Sequence, residues 1–179
     1  MDKLKIFNEF LDRDEAYETL NYFSRNFNKG WDPWVAEVQS PTGYVPGNAF
    51  WRMKLFDEKL FSERILKKIE SKTNKRFTLL DVYGNGQTNG QDGSWHVDDN
   101  QDGTYTFLLY MTYNPIIEST NYNTIGGYTG FSINGLIINV EPFTNRGVLF
   151  RSNIIHRGLA PQKPNIFRIS IAYKLKEIT

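Results

Sequence analysis

Helical periodicity governs the first third of the chain and two-residue alternation the rest, with the change near residue 77. Ala16, Leu20, Phe23 and Phe27 recur at steps of four, three and four, which puts them on one helical face. Asp12 precedes that run and Glu15 follows three residues later, the pairing of a capping box, so a helix is predicted over about 13–27. Ser62 can cap a second helix with the apolar face Ile65, Leu66 and Ile69, with Phe61 placed to staple onto Leu66 and an end near Thr73. Between them, residues 30–56 hold Trp31, Trp34, Trp51, Pro33, Pro41, Pro46 and several glycines, which predicts irregular structure with short strands.

From Phe77 onward, Thr78–Tyr83, Tyr105–Tyr113, Gly127–Ile133, Leu136–Phe143, Gly147–Ile155 and Ile166–Leu175 are β-branched and aromatic runs separated by Gly, Asn, Asp and Pro. In the last run Phe167, Ile169, Ile171, Tyr173 and Leu175 share one face while Arg168, Ser170 and Ala172 share the other. One face is expected to bury under helices and the other to front a cavity. The predicted class is α+β, mainly β: a double-stranded β-helix (jelly roll) with the N-terminal helices packed on the outer face of the major sheet. At 179 residues one domain is expected, with helical support over about 1–76 and the jelly-roll core over about 77–176.

Composition narrows the chemistry. Without cysteine there is no disulfide framework, no zinc-thiolate cluster and no thiol nucleophile, so any metal must use nitrogen and oxygen ligands. Lys and Arg number 21 against 20 Asp and Glu, so no broad basic face points to nucleic acid or an anionic membrane. The polar start MDKLKIFNEF and the lack of any run of about 18 apolar residues predict a soluble, intracellular, cytoplasmic protein with no membrane partner.

Only two histidines occur, one in His96-Val97-Asp98 and the other, His156, just after the run ending Ile154-Ile155. In an extended segment residues i and i+2 point the same way, so the imidazole of His96 and the carboxylate of Asp98 can meet one ion, and a neighbouring strand can bring His156 to it. Two imidazoles and a carboxylate on one face of an octahedron leave three positions open, the arrangement of non-haem Fe(II) oxygenases. Twelve residues past His156, Arg168 and Ser170 share a strand face, where a guanidinium fork and a hydroxyl can grip a distal carboxylate. That suits a dicarboxylate whose other end chelates iron. The alternative for all these residues is ordinary structural hydrogen bonding.

An H-x-D element, a second His some 60 residues on and an Arg beyond it together resemble the 2-oxoglutarate and Fe(II)-dependent oxygenase superfamily, especially its prolyl-hydroxylase branch. The resemblance runs from about Phe61 to Leu175 and includes Leu79-Leu80-Asp81-Val82-Tyr83-Gly84, Phe107–Met111, Gly126-Gly127, Val140-Glu141-Pro142, Gly147–Phe150, His156-Arg157-Gly158 and Phe167–Ser170. It implies metal ligation by His96, Asp98 and His156, use of 2-oxoglutarate and O2 with ascorbate as an optional accessory, and hydroxylation of a C–H bond with decarboxylation of 2-oxoglutarate to succinate. It also implies that Tyr110 hydrogen-bonds the distal carboxylate and that Tyr83 is a second residue lining the pocket. Arg168 stands where many prolyl hydroxylases carry Lys, as in other members of the superfamily.

The substrate expected from the resemblance is a protein or peptide, with a prolyl residue the first to test. A nucleic-acid or small-molecule oxygenase of the same superfamily and a non-catalytic cupin-like module are the alternatives. The dealkylating branch usually shows a second Arg six residues after the first, where this chain has Lys174. Asp98 argues against a halogenating variant, in which the carboxylate is replaced by a small residue. Residues 84–94, GNGQTNGQDGS, read equally as a solvated hairpin loop or a lid beside His96. The tryptophans Trp31, Trp34 and Trp51 read as packing before they read as a substrate platform.

Overall fold

Two faces of one strand set the layers. In β10 (Arg168–Glu177), Ile169, Ile171, Tyr173 and Leu175 are buried against the helices, whereas Arg168, Ser170 and Ala172 face inward between two sheets. The computed structural model describes residues 3–27, 34–38, 49–112 and 126–178, and the elements below are those of the described residues.

They run β1 (Leu4–Phe7), α1 (Arg13–Phe27), β2 (Val35–Val38), β3 (Ala49–Lys54), a π-helical turn (Leu60–Ile65), α2 (Leu66–Thr73), β4 (Phe77–Gln87), β5 (Thr104–Tyr110), β6 (Thr129–Ile133), β7 (Leu136–Val140), β8 (Arg146–Arg151), β9 (Ile155–Gly158) and β10. A seven-stranded antiparallel sheet has the order β1-β8-β5-β10-β4-β3-β2, and a three-stranded sheet the order β7-β6-β9. A bridge between His96 and His156 extends the smaller sheet toward the larger. The chain is a jelly roll, mainly β, with its helices on the outer face of the major sheet, as the pattern predicts.

Phe23 of α1, Phe61, Ile65 and Ile69 pack with Phe107, Leu109, Ile171 and Tyr173 in one core cluster. A second cluster fills the space between the sheets, with Leu108, Tyr110, Val148, Phe150 and Ala172 meeting Phe131 and Val140. The capping box forms in full: the Glu15 amide donates to Oδ1 of Asp12 at 3.0 Å and the Asp12 amide to Oε2 of Glu15 at 3.1 Å. Asp12→Ala removes one of these bonds and orphans an N-terminal amide. It is expected to cost about 1 kcal/mol, read as a lower urea midpoint with unchanged slope.

Several expectations need correction. The second helix begins at Leu60, where the apolar run begins, and Ser62 is no cap: its hydroxyl donates back to the Glu58 carbonyl at 3.1 Å. Phe61 therefore lies inside the helix and packs edge-on against Tyr22, 4.9 Å between ring centroids, rather than stapling the start. The helix does end at Thr73, closed by Asn74 in the left-handed region. Residues Gly84–Gln87 belong to β4 and not to a loop, because β10 pairs with all four and β3 pairs with Gly84, Asn85 and Gly86 from the other side. Gly86 is there for space: a Cβ would stand 2.1 Å from the Phe167 ring. The run 147–155 splits into β8 and β9, so His156 sits within a strand rather than after one. Strand β1 has no counterpart in the sequence reading, its four residues being too few for alternation to register. Trp31 and Tyr113 lie outside the described residues.

Candidate metal centre

Backbone pairing holds the three expected ligands together. The His96 and His156 amides donate to each other's carbonyls at 3.0 and 2.9 Å, and the Asp98 amide donates to the Ser152 carbonyl at 2.9 Å. The segment 96–98 thus lies along the start of β9 and the end of β8. Nδ1 of His96 is 2.9 Å from the Ser94 carbonyl, and Nδ1 of His156 is 2.9 Å from the Ile154 carbonyl. A carbonyl only accepts, so each Nδ1 carries the proton and each Nε2 offers its lone pair. Those Nε2 atoms lie 3.7 Å from Oδ1 and 3.5 Å from Oδ2 of Asp98, and one donor atom from each residue falls within 4.8 Å of the others. Orienting bonds of this kind on the remote nitrogen are what metal-ligating histidines usually have. The donor set therefore fits Fe(II) or a similar divalent ion.

Burial opposes the charged form of Asp98, but the charges of Lys174 and His156 and hydrogen bonds from Lys174 and Thr106 outweigh it and hold the carboxyl at about 2. Burial pushes His156 down to about 4 against the attraction of Asp98, so its ring is neutral at pH 7. The unfolded chain takes up a proton at His156 near pH 6.5, which the folded chain refuses until about pH 4. Stability of the metal-free protein is thus fully present above about 6.5 and lost as pH falls, by up to about 3 kcal/mol from this group at 1.36 kcal/mol per unit. Urea unfolding between pH 7 and 4.5 is expected to show that slope; a flat profile would refute the buried neutral imidazole.

At the other end of the same cavity the Arg168 side chain is 2% exposed. Its Nε donates to the Gly127 carbonyl (2.6 Å), one terminal nitrogen to Oε1 of Gln87 (2.7 Å) and Ser170 Oγ (3.3 Å), and the other to Thr129 Oγ1 (2.9 Å). Burial lowers its pKa, yet no carboxylate among the described residues pairs with it. Gly127 has a φ of +74°, and a Cβ there would press to 3.1 Å from the Arg168 stem, so this position both turns the chain and admits the guanidinium. Tyr110 is wholly buried under Arg168 and donates to Thr129 Oγ1 at 2.7 Å. Burial raises its pKa, so it remains a donor.

The cavity joining the two ends holds about 120 Å³ and is lined by His96, Asp98 and His156, by Arg168, Ser170 and Gln87, and by Tyr83, Lys174 and Arg52. Ser170 and Tyr83 thus reach it as expected, whereas Tyr110 stands behind Thr129 at the arginine end. Gln91, Asp92 and Gly93 form a wall, pinned by bonds from the Gly93 amide to the Gly158 carbonyl and from the Ala160 amide to Asp92. Trp34 packs in the core on Phe23 and Phe167, and Trp51 packs against that core, which is the packing reading. Arg157 lies over the Trp95 ring, 4.6 Å from its centroid.

Sequence reasoning missed Lys174 and Thr106, both bonded to Asp98, and Gln87 and Thr129, both bonded to Arg168. A signal for Lys174 was present, since it continues the face of Arg168, Ser170 and Ala172.

No protein-family model and no curated protein sequence matches the chain. Solved structures do. A prolyl hydroxylase from Trichoplax adhaerens, in complex with a hypoxia inducible factor oxygen degradation domain peptide fragment, superposes with a TM-score of 0.75 at 19% identity over 99% of this chain and 84% of that one. A Pseudomonas putida prolyl-4-hydroxylase gives 0.71 at 17% identity over 98% and 93%. The non-heme alpha ketoglutarate dependent epimerase SnoN from nogalamycin biosynthesis gives 0.71 at 13% identity over 99% and 77%. These likenesses establish a shared fold.

Proposed function

We propose that this chain is a 2-oxoglutarate- and Fe(II)-dependent dioxygenase that hydroxylates a C–H bond, with a prolyl residue of a protein or peptide as its first candidate substrate. One observation carries this reading: a single small cavity has a His-Asp-His donor set at one end and, at the other, a buried guanidinium without a carboxylate partner among the described residues. A buried cation left in that state is costly unless a ligand completes it. A dicarboxylate is the ligand that spans both ends.

His96, Asp98 and His156 would hold Fe(II), which when bound supplies O2 activation coupled to decarboxylation of 2-oxoglutarate to succinate and CO2. Arg168 and Ser170 bind and orient the distal carboxylate, and Thr129 and Gln87 fix the guanidinium plane. Tyr110, whose hydroxyl lies beyond Thr129, keeps that end dry and donor-rich. Tyr83 lines the same cavity from β4, beside Ala172 of β10. The His96 side chain is 35% exposed against 6% for His156, so a substrate would approach over His96. A peptide is favoured because two similar folds belong to prolyl hydroxylases, one of them holding a peptide. The SnoN likeness keeps a small-molecule substrate as the second reading. Near-balanced charge speaks against nucleic acid. No helix among the described residues is long and apolar enough to cross a membrane.

The test is succinate formation from 2-oxoglutarate with Fe(II), O2, ascorbate and a set of proline-containing peptides, with mass spectrometry for one added oxygen. Peptide-dependent succinate with that mass gain supports the reading. Succinate without peptide modification moves the substrate to small molecules, and no succinate under any condition overturns the enzyme.

A further inference from the structure

Lys174 enters the metal centre from β10, on the inward face and directly opposite Thr106 of β5. Its ammonium forms an ion pair with Oδ2 of Asp98 and lies 5.7 Å from the centroid of the Tyr83 ring. Thr106 Oγ1 donates to the same Oδ2 at 2.5 Å and is in turn 3.2 Å from Ser152 Oγ. Both side chains are well enclosed, Asp98 being 8% and Lys174 20% exposed. A carboxylate oxygen has two lone-pair sites. On Oδ2 the ammonium and the hydroxyl supply two donors, and His156 Nε2 lies 3.5 Å from the same oxygen.

A lysine is an odd neighbour for a cation site, since its charge repels the ion. Orientation gives it a purpose. With two imidazoles and one carboxylate oxygen bound, an octahedral ion keeps three positions for exchangeable ligands; a carboxylate bound through both oxygens leaves two. We propose that Lys174 and Thr106 are positioning residues that occupy Oδ2, so that Asp98 ligates through Oδ1 alone and a third exchangeable position stays open at the metal. The inference rests on the metal-dependent reading of the site. Both donors are required, because either one alone leaves a lone pair of Oδ2 free to turn onto the ion.

The test loads the full chain with Mn(II) alone and counts exchangeable waters by the broadening of its electron paramagnetic resonance lines in ¹⁷O-enriched water. Three are expected in the wild type, falling to two in Lys174→Met and in Thr106→Val, with three restored in Lys174→Arg. If Lys174→Met does not fold, Thr106→Val carries the same decision, because it removes a neutral donor and leaves the ion pair in place. Three waters in a folded Lys174→Met or in Thr106→Val would overturn the proposal and reduce the pair to a fold contact. A wild type that takes up no Mn(II) would overturn the metal reading itself, a separate outcome.

Discussion

His96→Ala is expected to abolish the visible charge-transfer band that Fe(II) and 2-oxoglutarate give together under anaerobic titration, with Fe(II) affinity lowered more than 100-fold. Loss of a mere hydrogen-bond partner behind a ligand costs about 10- to 100-fold in metal affinity, and loss of the ligand itself must exceed that. His96 is the most exposed of the three, so its removal leaves little cavity and the fold is expected to survive. Asp98→Ala is expected to fail differently. It strips the only carboxylate of the donor set and leaves the enclosed ammonium of Lys174 beside the ion with no carboxylate paired to it among the described residues. Breaking an enclosed ion pair from one side costs several kcal/mol. Asp98→Ala is therefore expected to lose both the band and thermal stability, whereas His96→Ala loses the band alone. Equal Fe(II) binding by wild type and His96→Ala would remove the centre from consideration.

The contrast between these variants also marks what a sequence can disclose. His96, Asp98 and His156 were legible because two histidines in 179 residues, one of them two positions from an aspartate, can be placed by strand period alone. Arg168 and Ser170 were legible for the same reason. Lys174 and Thr106 meet because β10 and β5 pair in a register that sets one opposite the other, and Gln87 meets Arg168 through the register of β4 with β10. Register is a long-range property, fixed here by the buried alternation of three strands at once, and no local pattern announces it. Glycines misled for a related reason. Gly84 and Gly86 read as turn residues, but a Cβ at either would run into Trp34 or Phe167, so they mark aromatic rings crossing a strand. The helices were easier because capping is local: Asp12 and Glu15 lie three residues apart and satisfy each other.

Arg168→Met is expected to erase the response to 2-oxoglutarate while leaving metal uptake in place. In the wild type, 2-oxoglutarate at about 100 times its dissociation constant with Mn(II) present should stabilise the fold by about 2.7 kcal/mol. For a chain of this length that is a rise of roughly 5–10 °C in the unfolding midpoint. Removing one partner of a buried, hydrogen-bonded charge pair costs about 2–5 kcal/mol of binding. Even the lower figure is about 30-fold, which cuts the stabilisation at the same concentration to under 1 kcal/mol. The metal ligands lie at the other end of the cavity and make no hydrogen bond with the guanidinium, so Mn(II) affinity without 2-oxoglutarate should stay within a few-fold of wild type. Arg168→Lys keeps the charge but loses the planar fork that Gly127, Gln87, Ser170 and Thr129 hold flat, so it should recover only part of the response. An Arg168→Met variant that still shows the full thermal shift would mean that 2-oxoglutarate is anchored elsewhere, and the cavity would have to be read from its metal end alone.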